Sequence, residues 1–213
     1  MDTTAPGEAA DGPPRPAVAG LLLAAGGGRR LGGRPKALLH LAGRPLVEHA
    51  VAALRAGGCS PVHVVLGAAA QVVRARAELT GCVVLDNTEW ESGMGSSLRV
   101  GLASLTGTGT DAALVALVDQ PGIGAEAVAR VRAACDSPAS LVAASYGGRR
   151  GHPVLFGSGH WQGVTDRAEG DQGARGYLRE RAGEIELVEC GDIADPADID
   201  TPADLERLRA YGS

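Results

Sequence analysis

The run Leu23-Ala-Ala-Gly-Gly-Gly-Arg-Arg-Leu-Gly-Gly-Arg-Pro-Lys36 mixes clustered glycines with cations. Glycine accepts positive φ and lets backbone amides come close to an anion. Arg30 can grip phosphate oxygens in bidentate fashion, and Lys36 adds a point charge. Together they suit a polyanion such as a triphosphate. A carboxylate, Asp119, closes the apolar stretch Val-Ala-Leu-Val-Asp-Gln-Pro. It cannot stay buried unpaired, and a Mg²⁺ ion would reconcile it with phosphates, because Mg²⁺ binds one or two carboxylates plus phosphate oxygens. The alternative for Asp119 is a helix cap ahead of Gly124. A second acidic stretch, Asp198-Ile-Asp-Thr-Pro202, reads as a helix start with Thr201 as the cap, Pro202 in the first position and Asp204 in the first turn. That leaves Asp200 over.

Three readings compete for the glycine loop. A Walker loop requires Gly-Lys-Ser/Thr, whereas Lys36 lies between Pro35 and Ala37. A dinucleotide fingerprint requires glycine at position 31, which is Leu31; the looser match through Gly26, Gly28 and Gly32 is interrupted by Pro35, and no acid follows the second strand at Leu66-Gly67. A triphosphate-binding loop remains. An idle connector is the structural alternative, but loops this rich in glycine and charge directly after a buried strand are rarely idle.

The hydrophobic pattern places these residues. Val18–Ala24 reads as a buried first strand. Strands follow at residues 62–66, 82–85, 112–118, 141–144, 152–156 and 185–188, and helices at 45–56, 69–79, a stretch within 92–105, 124–135, 172–181 and 202–210. Strands and helices alternate through the first two-thirds. This predicts a three-layer α/β fold: a Rossmann-like, mostly parallel sheet with helices on both faces. Ligands of such sheets sit at the carboxyl ends of the strands, where the loop after Ala24 and Asp119 both fall. Residues 1–16 read as a disordered tail. Residues 17–213 read as one domain.

Two further stretches carry polar groups. Asn87-Thr-Glu-Trp-Glu-Ser-Gly-Met-Gly-Ser-Ser leads into a helix; Gly93 and Gly95 permit close approach, and Ser96 or Ser97 can cap or donate. Gly151-His152-Pro153 opens a strand, and Gly170-Asp171-Gln-Gly-Ala-Arg175 precedes a helix that Asp171 could cap. His40, His49, His63 and His160 show no partner pattern and read as decorations of surfaces or helices.

The loop Leu23–Lys36 resembles the L-A-A-G-x-S-x-R-M-G-x-x-K signature of the molybdenum cofactor nucleotidyltransferases, especially the cytidylyltransferase branch. More widely it resembles sugar-nucleotide and methylerythritol cytidylyltransferases. Gly28 stands where Ser is usual, Leu31 where Met is usual, and the Gly32-to-Lys36 spacing is one residue longer. The resemblance implies a nucleotide-diphospho-sugar transferase type of fold and an enzyme that moves a nucleotide from CTP, or GTP, onto a phosphorylated small molecule, molybdopterin, with release of pyrophosphate. It implies a nucleotide-binding half at about 17–135 and an acceptor-binding half at about 136–213, with catalytic Arg30, Lys36 and Asp119. Nucleotide contacts would come from Leu23, Ala24, Ala25, Gly26, Gly27, Gly28, Arg30, Lys36, Gly93 and Ser97, and acceptor contacts from Gly151, His152, Pro153 and Asp171. The D-x-P and D-I-D-T-P motifs imply Asp119 and Asp200 as ligands of Mg²⁺, with Mn²⁺ as the alternative ion. A transient contact with a molybdoenzyme or its chaperone belongs to the same expectation. An NAD(P)-dependent oxidoreductase using the glycine loop is the competing class.

Composition narrows the field. The formal charge of −5 and the lack of any Lys/Arg run beyond short pairs argue against nucleic acid as a partner. No apolar run reaches the ~20 residues needed to span a bilayer, and no signal peptide opens the sequence, so the expectation is a cytoplasmic protein. Cys59, Cys82, Cys135 and Cys190 form no C-x-x-C pair and read as small buried residues in a reducing compartment. Aromatics make up only 3%, so the core must rest on aliphatic side chains.

Overall fold

Val18–Ala24 forms strand β1, and every residue in it is buried. A run without alternation is stable only inside a sheet covered on both faces, and the sheet is built that way. The computed structural model describes residues 15–28, 31–201, 203, 204 and 206. The remaining strands are β2 (His40–Leu41), β3 (Arg44–Pro45), β4 (Val62–Leu66), β5 (Val83–Asp86), β6 (Ala112–Leu117), β7 (Leu141–Tyr146), β8 (Arg149–Gly157) and β9 (Glu186–Glu189). The helices are α1 (Leu46–Ala56), α2 (Ala70–Arg76), α3 (Met94–Leu105), α4 (Ala125–Ala133), α5 (Trp161–Arg167) and α6 (Arg175–Glu180).

The main sheet runs β5-β4-β1-β6-β8-β7-β9, and β2 and β3 form a separate small ribbon. All pairings in the main sheet are parallel except those of β8, which is antiparallel to both β6 and β7. The three-layer, mostly parallel fold read from the sequence is therefore present. Side chains of β1 divide by strand periodicity. Val18, Leu22 and Ala24 join α1 and α4 on one face, and Ala19, Leu21 and Leu23 join α3, α5 and α6 on the other. The second face also gathers Phe156, Trp161 and Tyr177, so the few aromatics concentrate under one layer of an otherwise aliphatic core.

The reversal at β8 comes from its connection. Gly147 and Gly148, at φ 59° and 77°, join Tyr146 to Arg149. Two successive positive-φ residues make the tight turn that matches the twist of a hairpin. Glu189 on β9 clamps this turn: it accepts hydrogen bonds from Ser145 Oγ (2.7 Å) and from the amides of Gly147 (3.0 Å), Gly148 (3.4 Å) and Gly191 (3.0 Å). The Ser145 hydroxyl first, and then these amides, hold the Glu189 carboxyl down at about 2. A carboxylate whose folded pKa is depressed adds stability above its ordinary range and loses it as pH falls through the folded value. Glu189→Gln is therefore expected to unfold at lower urea than the parent at pH 7, with the gap closing between about pH 4.5 and pH 2. Equal midpoints at pH 7 would contradict this clamp.

Sequence pattern and structure differ in places. The helix expected at 69–79 stops at Arg76, with Ala77 extended. Helix α5 has no counterpart in the pattern; it is seven residues long, contains Gly163, and is fixed by Trp161 Nε1 donating to Phe156 O at 2.9 Å. The tail expected at 1–16 lies outside the described residues for 1–14, as does most of the closing helix at 202–210; Ala203, Asp204 and Glu206 are helical. His63 and His160 are buried rather than surface groups. His63 Nδ1 pairs with Ser104 Oγ (2.7 Å), and His160 bridges Tyr177 Oη (2.7 Å) and Ala139 O (2.8 Å). All four cysteines are free thiols; Cys82 is only half-buried.

Candidate active site

Strands β1 and β6 are parallel neighbours, with Leu23 beside Leu117, so the glycine loop and Asp119 leave the sheet side by side. The amide of Val118 donates to Leu23 O at 3.2 Å, and that of Ala68, after β4, donates to Ala25 O at 3.0 Å. The segment 195–200 is laced to the same edge. Asp195 N donates to Gly122 O (3.2 Å), Ile199 N donates to Asp119 O (2.8 Å), and the Ile199 side chain is buried. Gln120 Nε2 donates to Pro196 O (3.2 Å) and to Asp198 Oδ1 (2.8 Å). These bonds carry Asp200 to Asp119 across a long sequence gap.

Lys36 joins them. Its Nζ donates to Asp119 Oδ2 at 2.7 Å and to Asp200 Oδ1 at 2.5 Å. Burial alone would lower the Lys36 pKa, but the two carboxylates, Asp119 above all, outweigh it and hold the group raised. Lys36 is positioned by the short turn Lys36–Leu38, whose Ala37 is locked into the core. Asp119 does not cap α4, which starts at Gly124 with no side-chain cap. Thr201 does take part in a reciprocal cap: its amide donates to Asp204 Oδ2 (2.8 Å), and the Asp204 amide approaches Thr201 Oγ1 (3.4 Å).

A cavity of about 330 Å³ opens beside this ion pair. Leu23, Ala25, Gly26 and Gly27 line it from the exit of β1, and Lys36 and Asp119 supply charge. Gly93 and Ser97 enter from the start of α3, and Asp171 from the turn Gly170–Gln172. Ser97 is buried and accepts from Asn87 Nδ2 at 3.0 Å; Ser96 accepts from the same amide at 2.7 Å. Neither serine caps α3, whose cap position is Gly93. Asp171 likewise caps no helix: α6 starts after Ala174 with no side-chain cap.

Some expected contacts fall elsewhere. Ala24 faces the aliphatic core rather than the cavity. Arg30 lies outside the described residues. Gly28 turns away from the cavity. It sits at φ 59°, its carbonyl accepts from Leu31 N (2.8 Å) and Gly33 N (3.1 Å), and a Cβ there would lie 1.9 Å from Arg34 O. Two departures from the signature thus become one: the extra residue before Lys36 folds Arg34 back onto position 28, which leaves no room for a serine. Gly28→Ser is expected to displace the Arg34–Lys36 segment, to lower the melting temperature by a few degrees, and to weaken nucleotide binding at least tenfold by titration calorimetry at a temperature where the variant is folded. Unchanged nucleotide affinity would contradict this account.

The cavity has lining residues that sequence pattern alone does not single out. Trp90 and Glu91 come from the turn before α3, Met94 from its first position, and Leu117 and Val118 from the end of β6. The Trp90 ring lies over Gly27, where a Cβ would be 3.2 Å away. The signal is the tryptophan in Asn87-Thr-Glu-Trp90, a large, half-buried ring in a turn. Gly151, His152 and Pro153 stand on β8, next to β6 but beyond the cavity wall. The half-buried His152 is pushed down to about 4 by burial, with Arg175 and Arg150 pressing the same way and Asp119 opposing. Its imidazole is therefore neutral near pH 7.

Electrostatics favour a cation here. Glu91, Asp119 and Asp171 face the cavity, and Asp200 flanks Lys36. A triphosphate would meet net negative charge unless a divalent ion offset it. Asp119 and Asp200 already converge on one cationic nitrogen within 2.7 Å, and such a pair of hard oxygen donors fits Mg²⁺ or Mn²⁺. No larger group of metal-type side chains occurs among the described residues. Asp198 Oδ1 accepts a hydrogen bond from Gln120.

The family model of the MobA-like NTP transferase domain matches residues 20–185. The chain belongs to this family. Among similar proteins, the nicotine blue oxidoreductase of Paenarthrobacter nicotinovorans is 42% identical over 91% of this chain and 97% of its own. The molybdenum cofactor guanylyltransferase of Shewanella amazonensis is 30% identical over 64% of this chain and 66% of its own. Among solved structures, the homologue of Mycobacterium tuberculosis Rv0371c from Mycobacterium sp. strain JC1 is 33% identical, with a TM-score of 0.77 over 93% of this chain and 98% of its own. Rv0371c of M. tuberculosis in complex with manganese is 25% identical, with a TM-score of 0.73 over 91% and 98%. The family membership makes the chain an enzyme of the nucleotidyltransferase class, and its fold is that of the nucleotide-diphospho-sugar transferases. Among the described residues, no helix is long and apolar enough to cross a membrane.

Proposed function

We propose that the chain transfers CMP from CTP to a phosphorylated acceptor, the molybdopterin cofactor, and releases pyrophosphate. The observation that carries the reading is the Lys36 ammonium shared by Asp119 and Asp200 at the mouth of a glycine-lined cavity. GTP is the alternative nucleotide, as in the Shewanella relative's name. The likeness of Gly151-His152-Pro153 to an acceptor-side motif of cytidylyltransferases favours CTP. Four free thiols support a cytoplasmic location.

In this reading the acceptor phosphate oxygen attacks the α-phosphorus in line. The bond from that phosphorus to the oxygen bridging to the β-phosphate breaks, and pyrophosphate leaves. A phosphate acceptor is already anionic, so no general base is required. When bound between Asp119 and Asp200, Mg²⁺ or Mn²⁺ would neutralise charge on the triphosphate. Amides of Gly26 and Gly27 approach the phosphates, and Lys36 offsets charge growing on the leaving group. Ser97 and Gly93 border the base, and His152, as a neutral imidazole, hydrogen-bonds the acceptor.

The test is pyrophosphate release, scanned over the four NTPs with and without molybdopterin. Release with CTP that needs the acceptor and stops on adding EDTA is expected. Silence with every NTP sinks the reading.

A second reading rests on the relative named an oxidoreductase: hydride transfer with NAD(P)H held by the glycine loop. The site offers it little. The chain after β4 continues as Gly67-Ala68 with no ribose-binding acid, and a Cβ at Gly67 would lie 2.4 Å from Trp90. Thermal shifts with CTP-Mg²⁺, GTP-Mg²⁺ and NADP⁺ separate the two; stabilisation by NADP⁺ alone would favour the second.

A further inference from the structure

Strand β8 runs antiparallel to β6, with Val115 beside Val154. Its first residues, Arg149 to His152, therefore lie at the same sheet edge as Asp119. Along that edge the order is glycine loop, Asp119, then the start of β8. Asp119 stands between the loop and a second group of cations. Arg150 reaches from β8 onto α6, where its Nη1 donates to Leu178 O at a long 3.4 Å. Arg175 opens α6 three residues earlier, so one helical turn separates it from that carbonyl. Arg175 has no hydrogen-bond or ion-pair partner among the described residues, and Arg150 has only the long carbonyl contact. Several other arginines of the fold, by contrast, pair with carboxylates, as Arg130 does with Asp192 and Arg167 with Glu180. Arg150, Arg175 and Asp119 all lie near enough to His152 for their charges to act on its imidazole.

We propose that Arg150 and Arg175 form the binding site for the phosphate dianion of the acceptor, across Asp119 from the glycine loop. The assignment of that dianion as an acceptor rests on the transferase reading above; the anion site itself does not. Two guanidinium groups without carboxylate partners repel each other, and a phosphomonoester supplies the two negative charges and the planar oxygen edges they match. In-line transfer requires the attacking oxygen to approach opposite the leaving pyrophosphate. With the triphosphate tail on the glycine loop, a phosphate held at Arg150 and Arg175 comes from the other side of Asp119. The attacking oxygen gives its lone pair to the α-phosphorus, and the electron pair of the broken P–O bond leaves with pyrophosphate; no proton transfer or redox partner is needed. The neutral His152 beside the pair can donate one more hydrogen bond without adding charge.

Two measurements test this on the full chain. In steady-state turnover with CTP-Mg²⁺ and molybdopterin, Arg150→Gln and Arg175→Gln should each raise the acceptor KM about 10- to 100-fold. The KM for CTP should stay within about twofold, and Arg175→Lys should recover part of the loss. A merely structural role would move both KM values together and would not be rescued by lysine. Independently of turnover, inorganic phosphate is titrated into the parent, the double variant R150Q/R175Q and Lys36→Ala, with heat or ³¹P line width as the signal. Saturable binding that is lost in the double variant and kept in Lys36→Ala supports the site. An unchanged acceptor KM in the arginine variants, or phosphate binding that is absent from the parent or indifferent to R150Q/R175Q, overturns it. Failure of the transferase reading would show separately, as no pyrophosphate release from the parent with any NTP.

Discussion

Asp119→Asn is expected to lower pyrophosphate release by about 10²–10³-fold while leaving the fold intact. The substitution keeps the shape of the side chain and removes its charge. Ile199 N still finds Asp119 O, since that bond is to the backbone, and Lys36 still has Asp200. The loss is of one of the two carboxylates that converge on a single cationic position. A cation held by one carboxylate neither stays nor lines up the triphosphate as well, and the electrostatic relief of the transition state falls with it. The effect should appear in kcat rather than in the KM for CTP, because charge develops after binding. Circular dichroism and a melting temperature near that of the parent separate this from misfolding. Release within a few-fold of the parent would remove Asp119 from the chemistry and with it the proposed metal site.

The order of motifs makes much of this site legible from sequence, for a physical reason. A strand buried on both faces must be a continuous apolar run, so Val18–Ala24 and Ala112–Leu117 announce themselves, and the residues just after each run must lie at the strand ends. The glycine loop and Asp119 are placed in this way without any structure. Asp200 is different. The backbone bonds between segment 195–200 and residues 119–122, with those of the Gln120 side chain, bring it to Lys36, and sequence periodicity carries no trace of them. Lys36 as the partner of both acids is hidden in the same way: the composition of the loop assigns it to phosphate, not to carboxylates. The strand β8 hairpin is written more openly, as Gly147-Gly148 between apolar runs, yet the apolar pattern opens the strand only at His152. The serines in the first turn of α3 mislead for another reason. Ser96 and Ser97 look like caps, but a buried Asn87 needs partners for its side-chain amide and takes them.

The ion pair itself leads to the second large effect, which runs in opposite directions for two readouts. Lys36 occupies, with its ammonium, the place between Asp119 and Asp200 where a divalent cation would bind. Without nucleotide the two cations compete for the same oxygens. Lys36→Met keeps much of the side chain's bulk and removes the competing charge, so Mn²⁺ should bind the nucleotide-free variant about 10- to 100-fold more tightly than the parent. Electron paramagnetic resonance of free Mn²⁺ reads this without any turnover. The same variant should release pyrophosphate about 10²–10³-fold more slowly, because nothing replaces the charge that Lys36 presents to the leaving group. Its stability should also become metal-dependent. Without Mn²⁺ the two carboxylates repel across the gap, and melting should fall below the parent's; saturating Mn²⁺ should bring it back. Tighter metal with slower chemistry is a signature that a purely structural lysine would not give, since loss of a structural support would loosen the carboxylates and weaken both. If Lys36→Met binds Mn²⁺ no better than the parent, the ammonium and the metal do not share a position, and the two carboxylates must be doing something other than holding a cation for the triphosphate.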